Sequence, residues 1–218
     1  PLDKGTSISQ SQVQETQPTK ASGAQNTSGE NTPSQKGDVS SITKPTIASQ
    51  GAVLLNAADG SVLFSQNGET QYYPASITKL MTALLVAENC NLDDTVTFSS
   101  TATTNLESGA VSIGMTEGDT LSVRQCLYAL LLKSANEVGN ALAEHVAGSN
   151  AAFAEKMNAK AASLGCTNTH FANPHGLNDP NHYTTPHDMA LIARAAFAND
   201  IVKTVASTRT YTLSATKK

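Results

Sequence analysis

Apolar residues in YYPASITKLMTALLVAE, Tyr72 to Glu88, recur at Ile77, Leu80, Met81, Leu84 and Leu85. That spacing predicts a helix from about Ser76 to Glu88 with one face buried. Upstream, AVLLNAADGSVLF reads as two strands, near Val53–Asn56 and Ser61–Phe64, joined by a tight turn at Asp59-Gly60. Downstream, a Ser- and Thr-rich stretch shows little periodicity. Helical spacing returns from about Ser122 to Lys133, from Asn136 to Val146 and from Phe153 to Leu164. Thr185-Pro186-His187-Asp188 predicts a helix start, with Thr185 as cap, Pro186 in the first turn and Asp188 reaching back, for a helix running to about Ala198. Alternation from Arg209 to Ser214 predicts a strand. Strands near both ends of a helical block predict an α+β fold, an antiparallel sheet covered by helices.

The first 46 residues differ in kind. They are Ser, Thr, Gln, Asn and Gly with scattered prolines, and the first aromatic residue of the chain is Phe64. Such a composition buries too little apolar surface to offset the entropy of ordering. The expected organisation is therefore a disordered polar tether over 1–46 and one folded domain over 47–218.

Bulk numbers exclude several classes. The chain has 218 residues, 39% of them hydrophobic, and a formal net charge of −4 with no basic run, which argues against a nucleic-acid partner. No apolar stretch reaches the roughly 18 residues of a membrane helix. Pro1 opens into polar sequence, so no secretion signal is expected within these residues. Cys90, Cys126 and Cys166 are odd in number and lack metal-ligand spacing, which predicts buried thiols. His170, His175, His182 and His187 fall close together beside Asp179 and Asp188, but match no zinc template; no metal and no cofactor is expected.

Candidate chemistry lies at the head of the first helix. Ser76 and Lys79 are one turn apart, within reach of each other. A serine hydroxyl needs a base to become a nucleophile, and a lysine serves only if burial among apolar neighbours lowers its pKa. The helix start adds free N–H groups able to steady a developing oxyanion. LLLKSANEVGN then places Ser134 and Asn136 between two helices. They are suited to cap the second helix, or to project a proton relay (Ser134) and a carbonyl-binding amide (Asn136) into a cleft.

S-x-x-K followed by S-x-N is the signature of serine β-lactamases and penicillin-binding proteins. YYPASITKLMTALLVAE, SGAVSIGMTEGDTLSVRQCLYALLLKSANEVGNALAE and FANPHGLNDPNHYTTPHDMALIARAA together resemble the D-alanyl-D-alanine carboxypeptidases, the low-molecular-weight penicillin-binding proteins. The resemblance runs from about Ile47 to the end. It implies a β-lactamase/transpeptidase-like fold and a serine carboxypeptidase that removes the terminal D-Ala of peptidoglycan stem peptides and is acylated by β-lactam antibiotics. It implies that Ser76 is the nucleophile, Lys79 its base, Ser134 a proton relay and Asn136 a substrate-positioning group. It also implies an extracytoplasmic home in the bacterial envelope, with membrane association only through segments outside this chain.

One departure stands out. The family's third motif, K-T-G, on a strand that binds the substrate carboxylate, is missing; Lys203-Thr204-Val205 lacks the glycine and falls near a helix end. The C-terminal strands of the fold are therefore expected to be absent, and low activity is expected of this chain alone. The alternatives are a serine β-lactamase, disfavoured because NPHGLND holds no deacylating glutamate, and a non-catalytic peptidoglycan-binding fragment.

Overall fold

Polar caps and apolar stripes set the order of elements. A computed structural model describes residues 45–104 and 106–213, with the backbone of strand β1 (Thr6–Ser9). β2 (Ala52–Leu55) and β3 (Val62–Gln66) form the predicted hairpin, in which Asp59 accepts from the N–H and the hydroxyl of Ser61. A 3₁₀ turn over Ala75–Thr78 leads into α1 (Lys79–Asn89). The Thr-rich stretch, unassigned from sequence, contains β4 (Thr95–Thr97), α2 (Ser100–Thr104) and β5 (Thr120–Ser122), with β4 and β5 paired antiparallel. A Ser122/Gln125 capping box opens α3 (Val123–Tyr128), which runs into a π-helical turn over Ala129–Lys133. α4 (Asn136–Ala147) and α5 (Asn150–Ser163) follow, the latter capped by Ser149. α6 (Pro186–Ala198) starts as predicted, with Thr185 accepting from the Asp188 N–H. α7 (Asp200–Ala206) is capped by Asn199, and β6 (Thr210–Leu213) ends the described chain.

α1 is the hub. Met81, Ala83, Leu84, Leu85 and Val86 are all buried, and α4, α5, α6 and α7 pack against it. Phe98, Phe153, Phe171, Leu127, Leu142 and Met157 fill the same core. A fully buried side chain of this size is worth about 1.5–3 kcal/mol, so the helical block carries most of the burial. Cys90, Cys126 and Cys166 are free thiols, and the last two are buried.

The α+β class holds, with four corrections. Among the described residues, three separate two-stranded antiparallel sheets replace the single sheet expected, and β6 pairs with Thr6–Ser9. Four residues of the expected tether are thus a strand, since main-chain pairing needs no apolar side chains; almost all the rest of 1–46 lies outside the described residues. Ile77, assigned to the buried stripe, is 54% exposed, because the 3₁₀ turn before α1 takes it off the α-helical register. Asp188 does not close a capping box: its carboxylate accepts from the Asn168 N–H and the Thr169 hydroxyl.

Candidate active site

Two serines and a lysine converge where the 3₁₀ turn meets α1. In a 3₁₀ turn residues three apart eclipse, which brings Lys79 Nζ to 3.2 Å from Ser76 Oγ. Ser134 Oγ donates to Ser76 Oγ at 3.0 Å. Both serines are held by strained backbone. Ala75, just before the first, has φ of +48°, and Ser134 itself sits in the left-handed region at φ +64°.

Lys79 is 2% exposed. Its ammonium also donates to Asn136 Oδ1 at 2.9 Å and to the His175 carbonyl at 2.8 Å. Burial lowers it from the ordinary lysine value to about 8, against an opposing pull from the Glu137 carboxylate. Once neutral, the amine keeps two hydrogens for the two carbonyl acceptors and turns its lone pair to Ser76 Oγ. That is the geometry of a general base.

Asn136 is 3% exposed, and both ends of its amide are engaged. Oδ1 takes the lysine, while Nδ2 and the backbone N–H both donate to the Val111 carbonyl, at 3.0 and 2.9 Å. Nδ2 retains one hydrogen for a further acceptor.

Thr78 and Thr82 join Lys79 in a buried polar stripe at the head of α1 that local spacing alone does not single out. Thr78, Lys79 and Thr82 are all buried and grip one loop: Thr78 Oγ1 meets His182 Nε2 at 2.7 Å, Lys79 takes the His175 carbonyl, and Thr82 donates to the Pro174 carbonyl at 2.6 Å. Two threonines four apart on an otherwise apolar face were the available signal. Asn173 folds that loop back by accepting from the His175 and Gly176 N–H groups and donating to the Leu177 carbonyl. Two of the four histidines serve this frame. His182 Nδ1 accepts from the Ala172 N–H, so Nε2 carries the proton towards Thr78; His175 Nδ1 accepts from the Leu177 N–H. Lys203 and Thr204 are exposed on α7, not on a strand, and do not form a third motif.

Burial lowers His175 to about 3, helped by Lys79 and His182, and lowers His182 to about 4. Their folded values lie below that of the unfolded chain, so the native state is fully favoured above about pH 6.5. It loses ground as pH falls towards 4, because the unfolded chain then binds more protons. Urea denaturation between pH 7.5 and 4.5 should show stability falling, at up to about 1.4 kcal/mol per pH unit for each histidine. A flat profile would mean that both rings protonate freely in the fold.

A protein-family model described as D-alanyl-D-alanine carboxypeptidase matches residues 38–218. The chain belongs to the D-alanyl-D-alanine carboxypeptidase family. Within it, the D-alanyl-D-alanine carboxypeptidase of Streptomyces sp. strain K15 is 38% identical over 189 residues, covering 81% of this chain and 64% of that relative. DacF of Bacillus subtilis is 36% identical over 150 residues, covering 66% of this chain and 38% of its own length. Among solved structures, DacD from Francisella tularensis superposes with a TM-score of 0.72 at 32% identity, over 79% of this chain and 43% of that one. The Streptomyces K15 DD-transpeptidase does so with a TM-score of 0.70 at 35% identity, over 75% and 66%. The chain therefore spans less than two thirds of the length of the curated relatives named here. The β-lactamase/transpeptidase-like architecture expected from the family resemblance is the one these structures share.

Proposed function

We propose that this chain carries the acylation machinery of a serine DD-carboxypeptidase, acting on peptidoglycan stem peptides that end in D-Ala-D-Ala. The convergence of Ser76, Ser134 and a buried lysine lowered to about 8 carries this reading. Neutral Lys79 takes the Ser76 proton as Oγ attacks the penultimate D-Ala carbonyl. Ser134, bridging to Oγ, passes a proton to the leaving D-Ala amine, and water then hydrolyses the ester. The remaining Nδ2 hydrogen of Asn136 is available to a substrate carbonyl. A β-lactam fits the same attack, because its strained amide mimics the scissile bond and its ring-opened ester stays on Ser76.

The β-lactamase alternative finds no support in the NPHGLND turn, where Asn173 is consumed in closing the loop and no glutamate is present. Family membership and the substrate's location support an extracytoplasmic site of action. No helix of the described residues is long and apolar enough to cross a membrane. The test is incubation with a fluorescent penicillin followed by peptide mapping of the adduct. The expected adduct is on Ser76; one on Ser134 would exchange the roles, and no adduct at any pH would return the chain to the peptidoglycan-binding alternative.

A further inference from the structure

Glu137 follows Asn136 at the start of α4 and has no part in the acylation steps. Its side chain is fully buried. Oε1 accepts from the Ser112 hydroxyl at 2.6 Å and from the Ile113 N–H at 2.7 Å, while Oε2 is buried with no hydrogen-bond partner among the described residues. A buried carboxylate with one bare oxygen is costly unless an opposite charge faces it. Lys79 is the charge that acts on it: no direct ion pair joins the two, but Nζ donates to the side chain of the adjacent residue, Asn136, close enough for the carboxylate to pull on the ammonium.

Among the described residues, the charged groups on the packed elements are each neutralised or engaged elsewhere. His175 and His182, from the loop against α1, are held neutral by burial. Glu144, further along α4, is taken up by the Ser99 and Thr101 hydroxyls. Lys160 of α5 pairs with Glu88 at the other end of α1, and Asp188 of α6 accepts from Asn168 and Thr169. Asp200 and Lys203 of α7 are exposed.

We propose that Glu137 is a positioning residue for the reaction at Ser76: a buried counter-charge that faces Lys79 across the Asn136 side chain and, with the same carboxylate, ties residues 111–114 to the head of α4. The proposal rests on the acylation chemistry assigned above. The loop is fastened at adjacent points, since Asn136 holds the Val111 carbonyl and Glu137 holds Ser112 and Ile113, and Ser112 Oγ in turn accepts from the Gly114 N–H. A negative charge there favours protonated Lys79 and partly offsets the burial that makes the lysine a base. Glu137 thereby sets the pH at which the base becomes available.

Glu137→Gln removes the charge and keeps an acceptor for both loop contacts. Followed by ¹³C NMR at its ε-carbon, Lys79 should titrate about one pH unit lower in this variant. The acidic limb of penicillin acylation should move with it, so that at pH 6 the variant runs about tenfold nearer its own plateau than the parent. Glu137→Asp keeps the charge but shortens the reach to the loop; its limb should stay in place while its rate falls at every pH. An unchanged lysine midpoint in Glu137→Gln overturns the proposal. So does a Glu137 carboxyl that reads as protonated at pH 7 by ¹³C NMR of the parent protein, a measurement that decides the matter even if the glutamine variant does not fold. Absence of any Ser76 adduct in the parent would defeat the carboxypeptidase reading instead, leaving the lysine titration to judge the pairing on its own.

Discussion

Lys79→Arg should abolish measurable penicillin acylation near neutral pH while the protein stays folded. The guanidinium keeps the positive charge and hydrogen-bond donors for Asn136 Oδ1 and the His175 carbonyl, but it cannot give up a proton in this range. Proton removal from Ser76 then has no acceptor, and loss of a positioned general base costs about 10²–10⁴ in rate. In the parent protein the rate should fall about tenfold per pH unit below about pH 8, as the lysine becomes protonated. Stopped-flow acylation across pH, beside a thermal melt of the variant, separates lost chemistry from lost structure. An arginine variant that acylates at near-parental rate would reduce Lys79 to an electrostatic role and hand the base to another group.

The second large effect is expected at Gly176. The glycine has φ of +87°, and a β-carbon built on it would overlap the Ala75 carbonyl and lie 2.9 Å from Thr78 Oγ1. Neither neighbour can step aside cheaply: Ala75 is the strained residue that presents Ser76, and Thr78 is bonded to His182. Gly176→Ala should therefore cost roughly 2–4 kcal/mol, from overpacking added to a left-handed alanine. It should also slow acylation, because the displaced backbone is the one beside Ser76. Gly165→Ala is the control: its φ is +85°, but nothing lies within 4 Å of the added carbon, so it pays for conformation alone. Comparable melts and acylation rates for the two variants would show that the loop and the 3₁₀ turn separate easily and do not define the site together.

The parts of the molecule legible in the sequence were those written in local patterns. The spacing of Leu80, Met81, Leu84 and Leu85 reports α1, Thr185-Pro186 reports the start of α6, and Asp59-Gly60 reports the β2–β3 turn. Ser76 and Lys79 were readable because one turn of helix brings them together. Partners that meet only through the fold were hidden. Glu137 looks like an ordinary acidic residue in the first turn of a helix, yet its surroundings are Ser112, Ile113 and Lys79. No local pattern announced that His175 and His182 accept backbone N–H groups and shape a loop. The short strands β4 and β5 went unseen because three residues are too few for an alternation to register.

The π-helical turn over Ala129–Lys133 ties the cleft to chain length. The N–H groups of both Ser134 and Ala135 reach back to the Ala129 carbonyl, so this turn holds one residue more than an α-helix would. Removing any one residue from Leu130 to Leu132 would let the segment relax into regular helix continuous with α3. It would also swing whatever follows by about 100° around the helix axis, carrying Ser134 away from Ser76. The surplus residue costs helical regularity and sets the angular phase of the second serine. This stretch should thus accept changes of side chain far more readily than a change in length. A single-codon deletion here should yield a well-folded protein in which Ser134 no longer bridges to Ser76.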